Sequence, residues 1–268
     1  MAWRPLNPQH AIEIARVVVA FSEVIPEKLQ KATRQGVETR RESLGFPPAN
    51  QLSGAAFTFQ MGPGGPAPMA QPGPVSGWQF LRQAVPGRNL EALELNGAEL
   101  AYQAAEYGRW ALFSERLKKV LGSVPEQLGA VLSRRATVLE YVDRFVFEGP
   151  PETADARDIL GDTVSQIPEN AAAGQSLWHI HRGWFHNQDG KSVLVNINFG
   201  TEDGSVDGKT VVRGLHAVTR VELRHTPENA EIDALFGDLD FLHGIANETF
   251  AASISEKARA MIGLETGS

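Results

Sequence analysis

Residues Arg134–Glu148 read RRATVLEYVDRFVFE, alternating and rich in β-branched and aromatic side chains. As a strand the segment has two faces, because successive side chains point to opposite sides. One face carries Leu139, Tyr141, Asp143, Phe145 and Phe147; the other carries Val138, Glu140, Val142, Arg144 and Val146. Both are substantially apolar, which predicts a central strand covered on both sides. Asp143 stands out among these neighbours. A buried carboxyl must be paired, hydrogen-bonded or protonated, so Asp143 reads as one half of a structural pair with an arginine or as a perturbed acid in a cleft.

On the N-terminal side, 10–21 (HAIEIARVVVAF) reads as a first strand and Pro26 as the first turn of a charged helix reaching 43. A strand over 55–61 precedes 62–77, where five prolines and five glycines in sixteen residues predict an irregular loop or extended insertion. No lysine follows those glycines as a phosphate loop requires. Segments 78–83 and 90–95 form a hairpin, 99–103 a short strand, and Trp110, Phe113, Leu117, Val120 and Leu121 the buried stripe of a helix. Beyond the central segment come one or two helical turns within 153–160, then a hairpin of 175–186 with 191–199 across an Asp189-Gly190 turn. A polar loop over 202–208, a strand over 210–225 and a terminal helix carrying Leu235, Leu239, Leu242, Ala246 and Phe250 complete the chain. Thr226-Pro227 reads as the cap of that helix, and 253–255 as a break before a short last helix capped by Ser255. This order predicts an α+β fold of two related βαβββα-like halves, 1–133 and 134–268, packed as one unit. Curved antiparallel sheets would carry the long helices on one side.

The composition is that of an ordinary globular chain, 42% apolar and 21% charged. With no cysteine in 268 residues there is no disulfide, thiolate zinc site, iron–sulfur cluster or cysteine nucleophile. The first ten residues lack the apolar core of a signal peptide and no apolar run spans a bilayer, which predicts a cytoplasmic protein without a membrane segment. The net charge of −7, with basic residues scattered among acids, argues against a nucleic-acid partner. Neither a Gly-x-Ser-x-Gly elbow nor a dinucleotide fingerprint occurs.

Four segments together resemble a sporadically distributed family of uncharacterised bacterial proteins. They are HAIEIARVVVAFSEVIPEKL (10–29), WQFLRQAVPGRNLEALELNGAELAYQAAEYGRWALF (78–113), LEYVDRFVF (139–147) and LDFLHGIANETFAASISEKARAMIG (239–263). Tyr107 and Trp110 match the family's Tyr-x-x-Trp helix start. Tyr141 to Arg144 match its Tyr-Ile-Asn-Arg strand, with Asp143 in place of the usual asparagine. Leu242, His243, Phe250, Ile254 and Arg259 match its closing helix. The resemblance implies no reaction, because the family has no catalytic signature. Its scattered occurrence points to defence or toxin–antitoxin neighbourhoods.

Three functional readings follow. The first is a non-enzymatic interaction protein that binds a protein or peptide, with a homodimer allowed. Trp178, Arg182 and Trp184 on one strand face, and Asp143 and Arg144 on the central strand, are its candidate contacts, although the tryptophans also read as plain core. The second is a metal-dependent enzyme or metal-binding protein. His179 and His181 share a strand face, and His216 or His225 with Glu222 or Asp143 would complete a transition-metal site. His186 falls on the opposite face. The third is nucleic-acid binding by stacking on the aromatic strand. His243, beside the apolar stripe of the last helix, reads as a hydrogen-bonded core histidine or a catalytic base.

Overall fold

The computed structural model describes every residue except 1, 8, 63–64, 86, 123, 125–127, 129–130, 206–210, 226–233 and 265–268, and describes 54–75 by backbone. The fold is mixed α and β around one large antiparallel sheet. Its strands are β1 (Ala2–Pro5), β2 (Ile12–Phe21), β3 (Asn50–Gly62), β4 (Gly65–Val85), β5 (Arg88–Asn96), β6 (Glu99–Ala104), β7 (Arg134–Glu148), β8 (His179–Gln188), β9 (Lys191–Ser205) and β10 (Val211–Arg224). The helices are α1 (Glu27–Leu44), α2 (Trp110–Leu121), the single turn α3 (Glu169–Ala172), α4 (Leu235–Ser253) and α5 (Glu256–Met261).

The strand order is β3-β4-β5-β6-β2-β7-β10-β9-β8, with β1 also paired to β7. The central segment is therefore a central strand. β10 runs along one edge of β7; β2 covers the other edge as far as Asp143, and β1 continues it from Phe145 to Glu148. Side chains of one parity, among them Val17, Val19, Leu93, Leu95, Leu139, Tyr141, Val195 and Val221, share a core with Val37 of α1, Leu117 of α2 and Leu239 and Leu242 of α4. On the other face Val18, Ala101 and Val138 form a small apolar cluster of strand residues alone. Charged groups surround it: Arg220 reaches Glu140 at 3.7 Å and Glu222 at 3.1 Å, and Arg224 reaches Glu222 at 2.9 Å.

Local signals place the helix ends. Pro26 immediately precedes α1, and Gly45 closes it in the left-handed region (φ 73°), donating to the carbonyls of Arg41 and Glu42. Ser255 caps α5 by accepting from the Ala258 amide, and Ile254 is the extended break between α4 and α5.

Polar clusters fix the two ends of the core. Glu91 of β5, buried, accepts from Tyr102 at 2.6 Å, from Arg116 of α2 at 2.7 and 2.9 Å, and from Arg82 at 3.1 Å. At the other end buried Arg134 donates to Thr137 and to Asp238 of α4, both at 3.0 Å, and Lys191 donates to the same carboxylate.

Four expectations need correction. The glycine- and proline-rich 62–77 is not irregular: β3 and β4 pair from Asn50↔Gln79 out to Gly62↔Gly65. From Gly65 to Val75 the β4 strand has β3 as its partner and does not pair with β5, which joins it from Gly77 to Val85. Pro66, Pro68 and Pro72 share one parity, so their missing donors fall on one edge while alternate N–H groups remain for β3. The polar 202–205 is the end of β9, held by pairing to β10. β8 starts at His179 rather than 175, and α2 starts at Trp110 after Arg109 turns the chain at φ 79°. β1 was not anticipated, being only four residues long. The helical turns within 153–160 are 3₁₀, and the expected cap at Thr226-Pro227 lies outside the described residues.

Candidate functional site

Asp143 points to the helix-bearing face of β7, flanked in register by Ile12 of β2 and Ala217 of β10. It is 3% exposed. Among the described residues it has no ion pair and no hydrogen bond, and burial alone pushes its carboxyl up to about 8. The arginine partner allowed by the sequence is absent: the neighbouring Arg144 projects from the opposite face, where it pairs with Glu13 at 2.7 Å and with Glu202.

Asp143 lines a cavity of about 420 Å³ under α4, closed by the start of α2 and the end of α5. Tyr107, Trp110, Tyr141 and His243 form much of its wall. Tyr107 and Tyr141 meet edge to face at 5.6 Å; Trp110 stacks on His243 with centroids 4.4 Å apart and planes 11° apart. Asn247 donates to His243 Nε2 at 3.1 Å, so the ring proton sits on Nδ1 and donates to Tyr141 Oη at 2.9 Å. Burial lowers the His243 pKa to about 4, partly offset by Asp240. Burial raises Tyr107 to about 12 and Tyr141 higher still. His243 is thus a neutral histidine with both nitrogens committed, which fits the hydrogen-bonded core reading and leaves no free basic lone pair.

Two further cavity groups escaped the sequence reading. His10 Nδ1 and Thr219 Oγ1 are buried and, among the described residues, have no hydrogen-bond partner. Burial, with Arg109 nearby, lowers the His10 pKa against the opposing effect of backbone groups at Tyr107 and Ile12. No spacing rule connects residues 10, 143 and 219; their meeting depends on the β2–β7–β10 register.

His179, His181 and His216 sit on the opposite, helix-free face, whereas His225 lies on the helix-bearing side near Asp238 of α4. His179 and His216 both lie opposite Gly200, and a Cβ on Gly200 would stand 2.8 Å from the His216 ring. The glycine lets that ring lie over β9. Burial lowers the His216 pKa, with Arg144 and His179 adding to it. His181 contacts Asn198, Glu222 is held by Arg220 and Arg224, and His225 contacts Thr137 at 2.9 Å. Asp143 is on the other side of the sheet. Among the described residues no group of three or more histidine, aspartate or glutamate side chains is placed to hold a metal ion.

Trp178, Arg182 and Trp184 are not gathered with Asp143 and Arg144. Trp178 lies just before β8 and packs half-buried against the second apolar cluster. Arg182 and Trp184 stand on β8 itself, the guanidinium 5.9 Å from the indole centroid. His186 shares their face, as its parity predicts. Trp184 is 37% exposed, Phe185 60% and Leu177 54%. β8 ends the strand order: β9 pairs along its whole length, and no strand among the described residues pairs with its outer edge.

No protein-family model and no curated protein matches the chain. Among the described residues no helix is long and apolar enough to cross a membrane.

Proposed function

We propose that the protein binds a partner protein by accepting an extended segment along the outer edge of β8. The open edge itself carries this reading. Such an edge templates strand addition, and proteins usually blunt it with proline, lysine, a bulge or a cover. β8 has ten residues without proline, lysine or a register shift against β9, and Arg182 is its one formal charge. Trp184 and Phe185 stand exposed on its two faces and would meet side chains of an incoming strand. The partner segment is expected to be aromatic or β-branched opposite them, with an acid near Arg182 and the histidines 179, 181 and 186.

The halves support the same reading. From β2 outward the order is β6, β5, β4; from β7 outward it is β10, β9, β8. We read the halves 1–133 and 134–268 as related on this ground, so that β4 corresponds to β8. β3 covers β4, and a partner strand would cover β8 in the same way. The resemblance to a family without a catalytic signature agrees with a binding role. On the helix-free face Arg16, Arg135, Arg220 and Arg224 are interleaved with Glu99, Glu222 and Glu140, which gives phosphates no uniform basic surface.

The test is affinity capture from the source cells with the wild-type chain and with Trp184→Lys/Phe185→Lys, both checked for equal folding by circular dichroism. A partner recovered by the wild type and lost with the variant is the expected result. Recovery of the same proteins by both would overturn the proposal. So would a homodimer that the variant dissociates with no other partner, since β8 would then pair with its own copy.

A further inference from the structure

Removing polar atoms from water without new partners is costly, and native proteins rarely leave several such groups together. Here three meet at one cavity. Asp143 and Thr219 lie on adjacent strands as diagonal neighbours of one face, since Asp143 pairs with Ala217 and Thr219 with Tyr141. His10 approaches from the segment before β2, its ring edge-on to Tyr107 at 5.5 Å. Each of the three is more than nine-tenths buried, and all three line the same space. Among the described residues His10 Nδ1 and Thr219 Oγ1 are fully buried without a partner, and the Asp143 carboxyl makes no hydrogen bond.

Their hydrogen-bonding character is shared. With its proton on Nε2 the neutral His10 ring offers a lone pair at Nδ1, Thr219 offers its oxygen, and an ionised Asp143 offers acceptors only. Three acceptors match the three N–H donors of a primary ammonium. The surrounding tyrosine, tryptophan and histidine rings supply π faces and apolar walls, which favour an organic cation over a hydrated inorganic one. Arg109 is the cation at this cavity. It is exposed and donates to the Gln9 carbonyl at 2.7 Å, so solvent screens its repulsion of a bound cation.

We propose that the cavity binds a small organic primary ammonium ion, whose three N–H groups meet Asp143, His10 Nδ1 and Thr219 Oγ1 while its hydrocarbon part packs against Tyr107 and Trp110. This site is separate from the β8 edge and stands or falls without it.

Binding is coupled to a proton. Without ligand the Asp143 carboxyl stays protonated up to about pH 8 and must ionise to hold the cation. Among the other titratable groups at the cavity, burial holds His243 down at about 4, lowers His10 below its ordinary value and raises Tyr107 and Tyr141, so Asp143 is the group that changes charge as pH approaches 8. Affinity therefore falls about tenfold for each pH unit below 8.

Benzylamine is the probe, titrated into the full chain by calorimetry and by tryptophan fluorescence, with benzyl alcohol and benzoate as controls. Saturable benzylamine binding at pH 8 is expected, about a hundredfold weaker at pH 6 and absent in Asp143→Asn. The controls should not bind. Thr219→Val, near-isosteric, should weaken binding severalfold while circular dichroism stays unchanged, which keeps the test valid should Asp143→Asn fail to fold. No saturable binding at millimolar benzylamine, binding unchanged in both variants, or equal binding of benzyl alcohol would each overturn the proposal.

Discussion

Glu91 and Asp143 are carboxyl side chains of the same sheet, on the same face, and nearly equally sealed, 2% and 3% exposed. Their surroundings oppose each other. Burial pushes the Glu91 pKa up, but Arg116, Tyr102 and Arg82 outweigh it and hold the carboxyl below the usual range. Asp143 feels burial alone and is driven the other way, to about 8. Burial therefore does not decide what an acid is for. Glu91 has its acceptor positions filled from two strands and a helix and is a structural tie. Asp143 opens on a cavity with two other unfilled polar groups, and no side chain among the described residues pairs with it.

Removing each carboxyl should separate the two roles. Glu91→Ala leaves Arg116 and Tyr102 without their acceptor in the core, and breaking a buried pair in this way costs about 3–5 kcal/mol. Urea denaturation at pH 7 measures it, and a loss below about 1 kcal/mol would contradict a structural role. The linkage sign agrees: a depressed carboxyl stabilises above its unfolded pKa of about 4.3 and loses that contribution as pH falls through the folded value.

For Asp143 the sign reverses. Between an unfolded pKa of about 3.9 and a folded value of about 8 the native state binds the extra proton, so stability falls as pH rises. The slope is about 1.4 kcal/mol per unit, or up to about 4 kcal/mol from pH 5 to pH 8. Asp143→Asn removes that slope, so the variant should gain on the wild type as pH rises. Parallel wild-type and variant curves across pH 5 to 8 would mean that Asp143 has a partner after all.

How much of this was legible beforehand follows from the range of the signals. Alternation over Arg134–Glu148 placed the central strand and singled out Asp143 as anomalous, because a two-residue period is a local property. The apolar spacing of α2 and α4 was local in the same way. The absence of a partner for Asp143 was not legible, since it depends on which residues of β2, β10 and α4 face it. His10 and Thr219 carry no pattern at all. The arm of β3 and β4 was misread for another reason: proline was weighed by its frequency over 62–77, whereas its parity decides whether a strand tolerates it. The histidine pair on β8 was placed correctly on one face, but the face that a third ligand would need was set by strand order.

His243 sharpens the comparison from the neutral side. Its depressed pKa makes stability rise with pH from about 4 toward the unfolded value of about 6.5, the reverse of Asp143. NMR of the ring protons should show no titration above pH 5. A midpoint near 6.5 would show that the Asn247–His243–Tyr141 chain is not maintained.

The smallest effect tests whether every member of the Glu91 cluster matters. Arg82 approaches Glu91 at 3.1 Å but also reaches Glu106 at 3.3 Å near solvent, and its side chain is 34% exposed. Arg116 grips the same carboxylate with two nitrogens and also meets the Leu44 carbonyl. Arg82→Ala therefore removes a largely screened contact and leaves Glu91 neutralised, at a cost of about 0.5–1 kcal/mol. Arg116→Ala, by contrast, should approach the cost of Glu91→Ala, because it strands a buried anion. Equal losses for the two arginine variants would mean that Glu91 is stabilised by the summed positive field around it rather than by the bidentate bond. The contrast with Asp143 would then lie in net local charge, not in the filling of acceptor positions.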